Sequence, residues 1–129
     1  MSGERVAAAA LAMAGTRFRL HGRDPEGIDC VGLVAHALAA SGWAGEVPTG
    51  YPLRGGDAQR VAALLDTQLA RGDGERPGDL LLAAPGPGQL HLAIRTARGI
   101  VHADATLRRV VERPGALPWP LIAAWRMEN

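Results

Sequence analysis

The chain has a single cysteine, no lysine and few aromatic residues among its 129 positions. One cysteine excludes an internal disulfide and a Cys-x-x-Cys metal knuckle. The net charge of +1 excludes strong electrostatic capture of nucleic acid. No segment reaches the roughly 18 consecutive apolar residues that a membrane-spanning helix needs. With 47% hydrophobic residues, the composition is instead typical of a globular protein with its own core.

The length predicts one domain over residues 1–129. The alanine-rich start, with AMAG at 12–15, mimics a signal peptide and its cleavage site, but it lacks a strongly basic leading region. It is more typical of a first helix that ends at Gly15. We therefore expect a protein made in the cytoplasm without a signal peptide.

The first half of the chain has helical patterning and the second half has strand patterning. Residues 4–14, 30–41 and 57–71 predict helices, the last with Asp57 as its N-cap and Gly72 just beyond its end, and residues 42–56 predict an irregular loop. From Gly78 onward, five short apolar runs are separated by turn residues and predict a meander of strands. This order predicts an α+β fold, in which three N-terminal helices pack on a roughly five-stranded antiparallel sheet.

The only cysteine, Cys30, follows Asp29, which is a good helix N-cap. Cys30 therefore falls in the first turn of the second helix, where free backbone amides and the helix dipole favour a thiolate. Such a position, or a histidine neighbour, lowers a cysteine pKa from about 8.5 to about 3.5–7.5, as a nucleophile requires. The alternative is that Cys30 is a small buried hydrophobic residue.

Two histidines, His91 and His102, lie on adjacent predicted strands. A four-residue turn at 95–98 would place them directly opposite each other, and any even turn leaves them on the same face of the sheet. One imidazole could then accept the thiol proton while the other orients it, as in cysteine hydrolases. Two alternatives remain: neutral rings at a sheet edge, or a Cys-His-His zinc site that lacks an obvious fourth ligand.

Three blocks of the sequence together resemble the NlpC/P60 cysteine peptidases. They are GTRFRLHGRDPEGIDCVGLV at 15–34, RPGDLLL at 76–82 and HLAIRTARGIVHA at 91–103. The resemblance implies a minimal papain-like fold with Cys30 as nucleophile, His91 as general base and His102 as the residue that orients the base. It also implies hydrolysis of amide bonds in peptidoglycan stem peptides, commonly between D-γ-glutamyl and a diamino acid. The reaction would proceed through an acyl-enzyme with no metal or organic cofactor, and backbone amides at the helix start would stabilise the oxyanion.

One position departs from the family pattern. Many members carry a tyrosine twelve residues before the nucleophile, where this chain has Phe18. A lost oxyanion donor slows catalysis by about 10²–10³-fold. The segments DCVGLV, GYPLRGG and PWPLIAAWRM further resemble the subgroup carried by phage tails and gene transfer agents, which implies a tail hub protein as partner and action at the cell wall. The alternatives are a weak or inactive tail-assembly or plug protein that retains the fold, and a thiol amidase or acyltransferase.

Overall fold

The computed structural model describes residues 2–45, 47 and 57–127. Within these residues the chain forms three α-helices and eight β-strands. The helices are α1 (Ser2–Ala12), α2 (Cys30–Ala40) and α3 (Ala58–Asp66), and the strands are β1 (Arg23–Asp24), β2 (Gly27–Ile28), β3 (Ala70–Arg71), β4 (Leu80–Ala83), β5 (His91–Arg95), β6 (Gly99–Asp104), β7 (Arg109–Pro114) and β8 (Leu121–Arg126). The predicted α+β class is confirmed. Most of the predicted loop at 42–56, namely residue 46 and residues 48–56, lies outside the described residues.

The main sheet has six strands in the order β3-β8-β4-β5-β6-β7, and every neighbouring pair is antiparallel. Its strands β4 to β8 correspond to the five apolar runs of the sequence. The two short strands β1 and β2 form a separate antiparallel pair just before α2. Helix α2 packs against α1 and against β5 and β6. The start of α2 therefore lies beside the hairpin that carries the two histidines.

The third helix is shorter than the sequence predicts. Asp57 is its N-cap, as expected, with its side chain accepting from the Gln59 amide at 2.9 Å, but the helix ends at Asp66 rather than at residue 71. Residues 70–71 form β3 instead, because they pair with β8 at the edge of the main sheet. Sheet pairing satisfies these backbone groups in place of a further helical turn.

Successive side chains of a strand point to opposite sides of a sheet. Both sides of the main sheet are covered by other residues. The side that packs against the helices, here called the helix face, includes Leu82, Leu92, Ile94, Val101 and Trp125. The opposite side, here called the outer face, carries Leu81, Ala93, Ile100 and Ala124, against which Leu117 and Trp119 pack. Among the described residues, no helix is long and apolar enough to cross a membrane.

Candidate active site

Asp29 caps the helix that begins at Cys30, as the sequence predicts. Its backbone is extended, and its Oδ1 accepts a hydrogen bond from the Gly32 amide at 2.8 Å. Its Oδ2 accepts a second one from the His21 amide at 2.7 Å. Asp29 is itself buried, so one carboxylate fixes both the start of α2 and the loop that precedes it.

The glycine of the Asp-Cys-Val-Gly segment allows this loop to approach the helix closely. A Cβ on Gly32 would lie 2.0 Å from the carbonyl oxygen of Gly22, a distance that no side chain tolerates. The Asp29 amide also donates to that same carbonyl oxygen, at 3.3 Å. Gly32 is therefore needed to bring residues 22 and 29 together, and this contact positions Cys30.

The thiol of Cys30 lies where the β5–β6 ladder ends. At the turn of this hairpin the Thr96 amide donates to the Gly99 carbonyl. Among the described residues, the pairing of β5 with β6 extends from there only as far as Ile94 and Val101. Alternate amides of an antiparallel strand point to the same neighbour, so the Leu92 amide also faces β6. It donates a hydrogen bond to the Cys30 thiol. The sulfur therefore accepts the hydrogen bond that a backbone carbonyl of β6 would accept if the β5–β6 pairing continued.

Burial dominates the ionisation of this thiol. Cys30 is only 2% exposed and belongs to the core on the helix face. Desolvation raises its pKa from 9.0 to about 12, and the nearby charge of Asp29 adds to the rise. Hydrogen bonds from the backbone at Leu92, Val31 and Cys30 lower the pKa but only partly offset the burial. The expectation that the helix terminus gives a lowered pKa is therefore wrong for this arrangement, because the charged form is disfavoured more by lost water than it is favoured by the amides.

The two histidines form a pair on the outer face. His91 Nε2 lies 2.8 Å from His102 Nδ1, and the ring centroids are 5.0 Å apart with perpendicular planes. The predicted register is wrong by two residues: Arg95 pairs with Ile100, so His91 is diagonal to His102 rather than directly opposite. A shift of two keeps the parity, so both side chains still share a face, and a diagonal pair is within reach of long side chains.

Both imidazoles favour the neutral form. Burial lowers the pKa of His91 from 6.5 to about 4, and the nearby His102 lowers it further, while Asp104 opposes the change. Burial also lowers the pKa of His102, again against Asp104, with Arg113 acting in the same direction as the burial. When His91 Nε2–H donates to His102 Nδ1, the Nδ1 of His91 is left as an acceptor. The pair then has the protonation state that a general base needs.

A third ring completes this cluster. Trp119 contacts both imidazoles edge to face, with its centroid 5.1 Å from that of His91 and 5.2 Å from that of His102. It arrives from the segment between β7 and β8, far from both histidines in sequence. Sequence reasoning did not place it here, and its only signal was a large aromatic residue between Pro118 and Pro120.

Phe18 packs against the same core as the thiol. Its ring is half-buried against the core of the helix face, to which Cys30 also belongs. Its amide donates to the Arg108 carbonyl at 2.9 Å, and the residue bridges to Ile28. Phe18 therefore supports the segment that leads to the helix but brings no hydroxyl group to it.

The described residues contain no group of three or more His, Cys, Asp or Glu side chains arranged to hold a metal ion. The polar contacts of the thiol itself are instead the backbone amides at Leu92, Val31 and Cys30, and the imidazole pair lies on the neighbouring β5–β6 hairpin. These are components of acid–base and nucleophilic chemistry.

No protein-family model matches the chain, and no curated protein matches it. Solved structures do. NlpC2 from Trichomonas vaginalis superimposes with a TM-score of 0.75 at 18% identity, over 97% of this chain and 46% of that one. The NlpC/p60 domain of the peptidoglycan hydrolase SagA has a TM-score of 0.66 at 23% identity, over 97% of this chain and 98% of that one.

A third similar structure is RipD from Mycobacterium tuberculosis, described as a non-catalytic NlpC/p60 domain protein adapted to peptidoglycan binding. Its TM-score is 0.61 at 18% identity, over 98% of this chain and 97% of that one. The chain spans less than half of NlpC2 and nearly all of the other two. These similarities establish that the chain has the NlpC/P60 fold, which confirms the fold that the sequence resemblance implies.

Proposed function

We propose that this chain, whose fold is that of NlpC/P60 domains, is a cell-wall hydrolase that cleaves amide bonds of peptidoglycan stem peptides. In this proposal Cys30 is the nucleophile, His91 the general base and His102 the residue that orients it. The observation that carries the proposal is the 2.8 Å contact between His91 Nε2 and His102 Nδ1, at the end of the hairpin whose Leu92 amide holds the thiol. Similar domains include the peptidoglycan hydrolase SagA.

The reaction follows from these groups. The Cys30 proton passes to His91 Nδ1 as the sulfur attacks the carbonyl carbon, and backbone amides at the start of α2 stabilise the oxyanion. The leaving amine takes the proton from His91, which leaves a thioester on Cys30. Water then attacks the thioester, His91 accepts the proton of that water, and the carboxylic acid and the free thiol are released. His102 keeps the His91 ring in one tautomer throughout.

The pKa values of Cys30 and His91 bear on the step at which the thiol proton is transferred. Burial disfavours both charged forms, since it raises the pKa of the Cys30 thiol to about 12 and lowers that of His91 to about 4, so the neutral thiol and imidazole are the favoured resting forms. The proposal therefore requires that bound substrate reduce the desolvation of the sulfur, or that proton transfer and attack occur together.

A second candidate function is supported by the same burial. A thiol that is 2% exposed with a raised pKa, together with Phe18 in place of a tyrosine, suits a non-catalytic domain that binds peptidoglycan or serves as a tail-assembly or plug protein. RipD has the same fold and is non-catalytic. The finer proposal of a phage-like tail, with a hub protein as partner, depends on the sequence resemblance alone.

Mass spectrometry of muropeptides separates these candidates. Purified muropeptides are incubated with the wild-type chain and with Cys30→Ala, and the products are compared. We expect the wild type to release fragments cut next to D-γ-glutamyl, and Cys30→Ala and His91→Ala to release none while remaining folded. Cosedimentation with insoluble peptidoglycan is measured in parallel. Binding by all three proteins without cleavage by any of them would contradict the hydrolase and favour the second candidate.

A further inference from the structure

Three aromatic rings meet on the outer face of the sheet. The centroid distances among His91, His102 and Trp119 are 5.0, 5.1 and 5.2 Å, and the three interplanar angles are 90°, 83° and 80°. Each ring is therefore nearly perpendicular to the other two. This edge-to-face geometry is the favourable one for aromatic pairs, at about 0.5–1.5 kcal/mol per pair beyond the buried area.

The segment that carries Trp119 is fixed at both ends. At its start the Gly115 amide donates to the Arg98 carbonyl in the β5–β6 turn, at 2.9 Å. At its end the Pro120 carbonyl accepts from the Ala84 amide, just beyond β4, at 3.0 Å. Leu117 and Trp119 between these anchors pack on the apolar cluster of the outer face. The indole therefore has a defined position over the histidines.

This position restrains the imidazole pair. The 2.8 Å contact requires the Nε2 of His91 and the Nδ1 of His102 to point at each other, which fixes both ring angles. Terminal torsions of histidine are otherwise broad. With an indole against both rings, rotation of either imidazole is hindered on that side, and the indole occupies space from which water would otherwise approach the rings.

We propose that Trp119 is a positioning residue that holds the His91–His102 pair in the orientation required for proton transfer and shields it from water. The catalytic part of this inference rests on the proposed hydrolase function. The structural part does not, because the orientation and ionisation of the two histidines can be measured without any turnover. Trp119 acts through the histidines and needs no contact with the substrate.

The test compares three variants by NMR of the histidine ring nitrogens over pH 3–9. Trp119→Leu removes the ring, Trp119→Phe keeps an aromatic edge, and Leu117→Ala is the matched control from the same segment and the same apolar cluster. The charged and titratable groups that face the pair from β5, β6 and β7, namely Asp104 and Arg113 besides the histidines themselves, are unchanged in all three. Any difference in titration is therefore due to the indole.

We expect Trp119→Leu to move the pKa of His91 from about 4 toward 6.5 and to abolish the single ring-nitrogen tautomer. Trp119→Phe and Leu117→Ala should leave both the pKa and the tautomer unchanged. In a turnover assay on muropeptides, Trp119→Leu should lower kcat by about 10²-fold with little change in KM, because the base is misplaced rather than the substrate. The acid limb of the kcat profile should shift with the NMR titration.

The failures can be told apart. Wild-type protein without turnover would contradict the hydrolase, but a shifted histidine titration in Trp119→Leu would still support the positioning role. Unchanged titration and tautomers in a folded Trp119→Leu would overturn the inference, whatever the activity. If that variant does not fold, Trp119→Met decides, since it removes the aromatic ring but keeps a large apolar side chain: unchanged titration and tautomers in a folded Trp119→Met would leave Trp119 a packing residue only.

Discussion

The burial of Cys30 leads to a quantitative prediction about its reactivity. Alkylation requires the thiolate. With a pKa of about 12, about one thiol in 10⁴ is ionised at pH 8, against about one in ten for a thiol with the reference value of 9.0. We therefore expect iodoacetamide to modify the native chain about 10³-fold more slowly than an unhindered cysteine, and more slowly still because the sulfur is 2% exposed.

The assay follows alkylated mass against time between pH 7 and pH 10. The reference is a chain with Cys30→Ala and Leu107→Cys, which moves the only cysteine to a site that is 53% exposed on the same fold. The same measurement in concentrated urea should bring both proteins to one rate. A native rate for Cys30 within tenfold of the reference at pH 8, or an inflection below pH 9, would refute the argument that desolvation controls this thiol.

Stability provides a second readout of the same pKa. The folded pKa lies above the unfolded one, so the folded state holds the proton more tightly. The contribution is therefore complete below pH 9 and is lost as pH rises from 9 toward 12, by up to about 4 kcal/mol. Urea unfolding of the wild type should weaken over this window, and that of Cys30→Ala should be flatter. Parallel curves would contradict the raised pKa.

Two further predictions concern other buried groups. Because burial lowers the pKa of His91 from 6.5 to about 4, its neutral form stabilises the fold above pH 6.5, and up to about 3 kcal/mol is lost as pH falls through this window. Urea unfolding of His91→Gln should therefore show a flatter acid limb than that of the wild type. Arg126 donates to both oxygens of Asp79, whose side chain is 1% exposed, at 2.9 and 2.7 Å. Arg126→Met should therefore cost about 3–5 kcal/mol of unfolding free energy by leaving a buried carboxylate without its cationic partner. Asp73→Asn, which removes only the charge of the exposed partner of the same guanidinium, should cost much less.

The strands were predictable because their signals are local. Apolar runs and turn residues define β4 to β8 without reference to the rest of the chain. The register of β5 and β6 was not predictable in the same way, since it depends on the turn: Thr96 Oγ1 accepts from the Arg98 and Gly99 amides, which closes the hairpin two residues later than expected. The two histidines nevertheless lie on the same face of the sheet, because a register shift by an even number of residues does not change the face to which a side chain points.

The parts that sequence reasoning missed depend on tertiary contacts. The helical pattern at 57–71 hides β3, because only pairing with β8 turns residues 70–71 into a strand. Trp119 reaches the histidines through a segment anchored at Arg98 and Ala84, neither of which is a neighbour in sequence. The pKa of Cys30 was missed for a related reason: a helix terminus is visible in a sequence, whereas the depth of a sulfur below the surface is not.

The two candidate functions make different demands on the water around the sulfur. The amides that lower the thiol pKa, at Leu92, Val31 and Cys30, belong to the fold and are present in either case. Asp29 opposes them, but it is also the cap that creates the helix terminus. Desolvation is the largest effect on the thiol pKa, and a polar ligand bound at the sulfur would reduce it. A stem peptide that brings its amide group to the sulfur replaces aliphatic contacts with polar ones, so the amides then act on the thiol with less opposition. A hydrolase would therefore show a thiol that becomes more reactive in the presence of a non-cleavable stem peptide, and a binding domain would show one that stays inert.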